Sequence, residues 1–240
     1  MANQVKPWAL PCANAAFIIL GVIYLIGIFH YPYIGLALEN REGNWTVTYS
    51  DPHGEGARLG IQERDIILQI DGLAPESVPS VQKWREAEGV STLTVVRSQG
   101  EPEWIRIAQY PYTGTLSREL PIIGVGLCFW LIGIFSVCKR PLWGQARALF
   151  WLNWLIGLLF MIAPASSRGL LFAKELMFIG YSLAPLLLLH FIAVLLKMEE
   201  NRFFRIMIRC LWILPAVIGI TIGFKWSGLV YAVSALRTMS

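Results

Sequence analysis

The chain has 240 residues, 55% of them hydrophobic and only 15% charged, and its mean hydropathy is +0.54. That balance excludes an ordinary soluble domain and belongs to a protein with several membrane spans. The formal net charge of +4 is modest; no nucleic-acid partner is expected, and where the charges lie matters more than their sum.

Five apolar runs are long enough to cross a bilayer, at about 20 residues per helical span: residues 9–29, 120–138, 148–163, 170–196 and 207–224. The first lacks a small-x-small cleavage site near Phe29 and is longer than a signal-peptide core, so it reads as an uncleaved span. The third is the shortest. Its end at Pro164, followed by Ala165, Ser166 and Ser167, predicts a tight turn into the fourth.

Basic residues in the short loops set the expected orientation. Lys6 precedes the first run; Lys139, Arg140 and Arg147 follow the second; Lys197, Arg202, Arg205 and Arg209 follow the fourth. With alternating spans all of these fall on one side. The other side has Arg168 and Lys174 in its short loop, then Lys225 and Arg237. The expectation is a bacterial cell-membrane protein with a cytoplasmic N-terminus and the polar stretch after the first span outside.

That stretch carries turn and strand signals. Residues 33–38 (YIGLAL) form a short apolar run, and 44–49 (NWTVTY) alternate at Trp45, Val47 and Tyr49. Asp51, Pro52, His53, Gly54 and Gly56 make a loop; Ala57, Arg58 and Leu59 make one helical turn that Gly60 caps. Residues 65–70 (DIILQI) read as a strand, and Asp71-Gly72 as a hairpin-type turn. Residues 80–88 (SVQKWREAE) predict an amphipathic helix with Val81, Trp84 and Ala87 on one face, ended by Gly89. A last strand pair, 92–96 and 104–108, flanks the turn 98–101. The expected result is a small barrel-like sandwich of five or six strands with two helices.

Residues 54–72 (GEGARLGIQERDIILQIDG) resemble the bacterial PDZ signature: small residues, a one-turn helix, an acidic residue opening a strand, then a turn with glycine. The run 33–38 resembles the loop and strand that capture a peptide's carboxyl end. The fold class so implied is membrane α-helical, with about five transmembrane helices and an inserted PDZ-like α+β domain: residues 1–30 the first span, 31–114 the domain, 118–240 the remaining membrane part. Such a domain binds by β-augmentation, an extended peptide adding to a sheet edge. The resemblance places the peptide-binding residues at Tyr33, Ile34, Gly35, Leu36, Ala37, Leu38, Val81 and Arg85. In that picture the amides of residues 33–36 hold a carboxylate, and Gly35 permits close approach. The residues equally allow a domain that only packs against the membrane helices or a partner subunit.

A span, an external PDZ-like domain and a run of further spans is similar to the N-terminal sensor region of ComP-type quorum-sensing sensor histidine kinases. The shared features include the basic loop KRPLWGQAR and the fourth span APLLLLHFIAVLL. The resemblance implies a receptor for an extracellular peptide pheromone, often isoprenylated on Trp, that signals across the bilayer through a kinase domain to a response regulator. It leaves a homodimer open and requires no cofactor. The chain departs from the family: none of His30, His53 and His190 is followed by the acidic residue of a phosphoacceptor box, and no Gly-rich ATP-lid segment follows. A truncated gene, a fragment or a sensor half is therefore expected, with no catalytic residue of its own. Competence and related group behaviours are the responses the family governs.

The other polar candidates lie in the spans, where burial is costly. Asn14, Asn153 and His190 are expected to make helix–helix hydrogen bonds. Lys174 and Glu175 either neutralise each other or line an outward pocket, although adjacent helical residues diverge by about 100°. Cys12, Cys128, Cys138 and Cys210 show neither disulfide nor metal spacing. An intramembrane protease lacks its motif: there is no H-E-x-x-H, and Ser182 and His190 lie about 12 Å apart along one helix. A non-catalytic scaffold that recruits an external protein or peptide is the remaining alternative.

Overall fold

The computed structural model describes residues 9–97, 100–107, 113–170 and 172–198, together with Ile213 and Val217. The fifth expected span, 207–224, lies outside the described residues apart from those two positions. So do Lys6, Ser98, Gln99, Ala108, Arg202, Arg205, Arg209, Cys210, Lys225 and Arg237.

Among the described residues twelve elements follow one another: α1 (Ala9–His30), β1 (Leu36–Arg41), β2 (Asn44–Ser50), α2 (Glu55–Arg58), β3 (Ile66–Ile70), a 3₁₀ turn (Pro75–Ser77), α3 (Pro79–Trp84), β4 (Thr92–Val96), β5 (Pro102–Arg106), α4 (Thr113–Lys139), α5 (Gly144–Ser167) and α6 (Ala173–Leu195). Four of the helices, α1, α4, α5 and α6, are long and apolar enough to cross a bilayer. Large apolar side chains stand exposed along α1 (Ile18, Ile19, Ile26), α4 (Leu131, Ile132, Phe135) and α6 (Phe178, Tyr181, Leu188). Helices that are apolar all round suit a hydrocarbon surround. The chain is a multi-pass membrane protein with an inserted antiparallel sheet.

The chain divides into two compact units: Met1–Gly124 with Phe160–Lys174, and Val125–Leu159 with Glu175–Ser240. The first contains the sheet, whose five strands run in the order β1-β2-β3-β4-β5, all pairs antiparallel. This is one meandering sheet rather than the expected sandwich, because each strand is joined to its sequence neighbour and none crosses to a second layer. Its core gathers Leu36, Leu38, Val47, Ile67, Ile70, Leu93, Val95 and Ile105 from the strands, with Ile61, Val78, Val81 and Ala87 from the connections. The β1–β2 register slips between Ala37 and Leu38. That bulge breaks the alternation expected of 44–49, leaving Val47 buried and Tyr49 half exposed.

Two local expectations change. The helix predicted over 80–88 stops at Trp84, because Arg85 takes a left-handed conformation (φ 56°) and its amide donates back to Val81. The next residue leaves the helix for the sheet edge: Ala37 and Glu86 form a β-bridge. The turn predicted at Pro164 is absent; Pro164 lies inside α5, which runs on to Ser167. The helix ends where glycine permits: Gly169 (φ 64°) donates to Ser166 and Leu170 donates to Ala165, a Schellman pair.

Arg168, just beyond α5, is buried. Its Nη1 and Nη2 each donate to Glu119 at 2.7 Å, Nη1 also to the Pro164 carbonyl, and Nε to the Tyr31 carbonyl at 2.9 Å. One guanidinium therefore links the segment leaving α1, the start of α4 and the end of α5.

In the second unit, helices approach through small residues. A Cβ on Gly133 would come 3.3 Å from the Phe150 carbonyl oxygen, and one on Gly180 would overlap Leu159. Ser136 donates to the carbonyls of Gly133 and Ala146. Asn153 is buried, but its amide donates to the Leu149 carbonyl of its own helix rather than to another. His190 is exposed, and the Ser182 hydroxyl is turned to the Ile179 carbonyl.

Candidate functional site: a carboxylate slot at the sheet edge

The site lies wholly within the first unit, where the segment before β1 meets the one after α3. Residues 33–35 are fixed by α2, whose orphan first-turn amides find their acceptors there: Glu55 donates to the Tyr33 carbonyl at 2.8 Å and Gly56 to that of Ile34 at 3.0 Å. Gly54 must be glycine, since a Cβ there would collide with the Ile34 carbonyl oxygen. The chain then reverses at Gly35 (φ 74°), a conformation that disfavours other residues. The Tyr33 hydroxyl donates to Asp51 at 2.9 Å. Burial first, and that bond second, hold its ionisation well above the ordinary phenol range.

The amides of Ile34 and Gly35 point at one carboxylate, which belongs to the chain itself. Glu88 Oε2 accepts from Ile34 at 3.1 Å and Oε1 from Gly35 at 2.6 Å. Glu88 is 6% exposed. Burial pushes its carboxyl up to about 8, against the opposing pull of the two amide bonds and of Lys174. The residues before it complete a strand-like addition to β1: Leu38 donates to the Arg85 carbonyl at 2.7 Å, and Ala87 donates to that of Leu36 at 3.1 Å.

Beside this slot is a cavity of about 370 Å³. The sheet side contributes Tyr33, Gly35, Leu36, Ala37, Tyr49, Glu86 and Glu88; residues Ala163, Ser166, Ser167 and Lys174 form the other wall. Lys174 pairs with Glu86 and stands 5.3 Å from the Trp84 ring centroid. Its partner across the cavity is thus Glu86 and not the adjacent Glu175. Among the described residues no cluster of three His, Cys, Asp or Glu is arranged to hold a metal ion.

Of the residues expected at a peptide site, Tyr33, Gly35, Leu36 and Ala37 line this cavity. Ile34, Leu38 and Val81 lie in the core, and Arg85 is exposed at the turn that ends α3. Sequence reasoning missed Glu86 and Glu88. Their period-two spacing around the buried Ala87, in Glu86-Ala87-Glu88, is a strand signal hidden behind helix-forming residue types. It also missed Ala163, Ser166 and Ser167 of the other wall, whose place depends on where α5 ends; of the two roles open to Lys174, the structure has it lining a cavity. No protein-family model matches the chain, and no curated protein matches it either.

Proposed function

We propose that this chain is the membrane sensor portion of a two-component, ComP-like receptor, with the sheet domain outside the cell and an extracellular peptide as its signal. The observation that carries this reading is the shared cavity: its two walls come from the sheet domain and from the 163–174 helix ends, so one ligand would touch both. The lining is mixed in character, with apolar Leu36 and Ala37, two tyrosines and the Glu86–Lys174 pair. That suits an amphiphilic peptide, including a prenylated one, better than a small polar metabolite. The excess of basic residues in the alternate short loops supports the outward placement. Phosphoryl transfer to a response regulator would be performed by a kinase domain outside these 240 residues.

The test is a gene replacement in the source cells, followed by the transcriptional response to their own conditioned medium. The native gene and a silent control should respond, whereas Ala163→Trp, which fills the cavity, should not, at equal membrane abundance. An unchanged response after deletion of the gene defeats the receptor reading.

A non-catalytic membrane scaffold is the second reading. One observation favours it: the β1 edge at Leu36 and Leu38 is already hydrogen-bonded by Ala87 and Arg85, which denies a peptide simple addition. In that case the deletion would leave the transcriptional response intact and remove an external partner from the membrane.

A further inference from the structure

We propose that the segment Arg85–Glu88 is a built-in occupant of the β1 edge, a ligand carried in the chain, and that an extended peptide ending in a free carboxylate enters the site by exchanging with it. This deepens the receptor reading and rests on it for the origin of the peptide.

The internal segment makes the contacts an added strand makes. It gives β1 one carbonyl acceptor, at Arg85, and one amide donor, at Ala87. It then places a carboxylate on the two amides of Ile34 and Gly35. A chain-terminal carboxylate has the same two oxygens and needs no other donor. An external strand therefore cannot take these contacts while Arg85–Glu88 holds them, and it can replace all of them once that segment leaves.

Three features favour release. The segment is bracketed by two left-handed residues, Arg85 (φ 56°) and Gly89 (φ 71°). The first is strained for a residue with a side chain, and departure of the segment relieves it. The second is open, since nothing lies within 4 Å of where its Cβ would be. Third, Glu88 is a buried acid whose desolvation outweighs its amide bonds, so its exposure to water recovers solvation. The neighbouring cavity gives an entering chain room beside the slot, and within the segment Glu86 is paired with Lys174.

The purified full chain in lipid nanodiscs tests this with two readouts. Hydrogen exchange on the wild type is the first: the amides of Ile34, Gly35, Leu38 and Ala87 should exchange as a group, about 100-fold or more faster than that of Val47 inside the sheet. Protection equal to that of Val47 would mean the segment opens only when the sheet does, and the exchange proposal falls. The second is binding of a pool of synthetic extended decapeptides with free carboxyl termini, beside the same pool amidated. Glu88→Ala should bind the free-acid pool about tenfold or more tighter than wild type, with no gain for the amidated pool. Equal affinity, no binding to either protein, or an equal gain for amidated peptides overturns it. Should Glu88→Ala misfold, Glu88→Gln keeps the side-chain volume and should show the same ordering. Neither readout involves the cellular response, so an unchanged response after deletion of the gene, with these results intact, would defeat the receptor reading alone.

Discussion

Glu88 accepts a 2.6 Å hydrogen bond from the amide of Gly35, a residue 53 positions earlier in the chain. With the Ile34–Glu88, Leu38–Arg85 and Ala87–Leu36 bonds, this contact holds the segment after α3 against β1. It also makes the sheet domain sensitive to pH in a definite direction. In the fold the Glu88 carboxyl is raised to about 8, against about 4.3 in an unfolded chain. The folded state therefore holds the proton more tightly. The stability this contributes is fully present below about pH 4.3 and is lost as pH rises through about 8, by at most about 1.4 kcal/mol per pH unit from this group. Thermal unfolding of the purified chain between pH 5 and pH 9 should show a falling transition, and Glu88→Gln should flatten it. A slope untouched by that substitution would assign the titration elsewhere.

Arg168 and Glu119 supply a second test. The arginine side chain is 0% exposed and its bonds to the carboxylate are bidentate. Taking away one member of a buried pair leaves the other charged and unsolvated, at about 3–5 kcal/mol. Arg168→Ala should lower the unfolding temperature in detergent steeply. Arg168→Met combined with Glu119→Leu should recover most of the loss, since both charges leave together.

At Gly54 the obstacle is steric. A methyl group there meets the Ile34 carbonyl oxygen, which is backbone and cannot rotate away. Gly54→Ala should destabilise the sheet domain by about 1–3 kcal/mol, the usual range for overpacking. It should also speed exchange of the Gly35 amide relative to that of Val47. Unaltered exchange at Gly35 would show that the loop shifts at no cost to the slot.

The orientation inferred from the loop charges is checked by reporter fusions. A periplasm- or surface-active phosphatase joined after Gln99 should be active and one joined after Gln145 inactive, with a cytoplasmic reporter giving the reverse. Activity of the cytoplasmic reporter at Gln99 would place the sheet domain inside and remove the basis for an external peptide signal.

Much of the fold was legible because it depends on local chemistry. Apolar runs gave the four described membrane helices, and Asp71-Gly72 gave a two-residue turn in which both residues have positive φ. Two places failed for tertiary reasons. The stretch 80–88 has helical residue types, but Arg85 turns left-handed and the hydrogen-bonding groups of Leu36 and Leu38 draw the chain around Glu86 into a β-bridge with Ala37. Pro164 looked like a stop, yet a proline whose lost donor is tolerated in an apolar helix leaves the real end to Gly169. The slot had a partial signature, since the resemblance of residues 33–38 to a peptide-capturing loop implied backbone amides that hold a carboxyl group. That the carboxyl group comes from residue 88 depends on a contact spanning 53 residues, which no local pattern carries.

The guanidinium of Arg168 holds both the segment leaving α1, at Tyr31, and the start of α4, at Glu119. These are the two tethers by which the sheet domain is joined to the chain. A domain on two free tethers would swing like a kite. Here one side chain ties both strings to the end of α5, so neither string can leave that end without breaking a bond to Arg168.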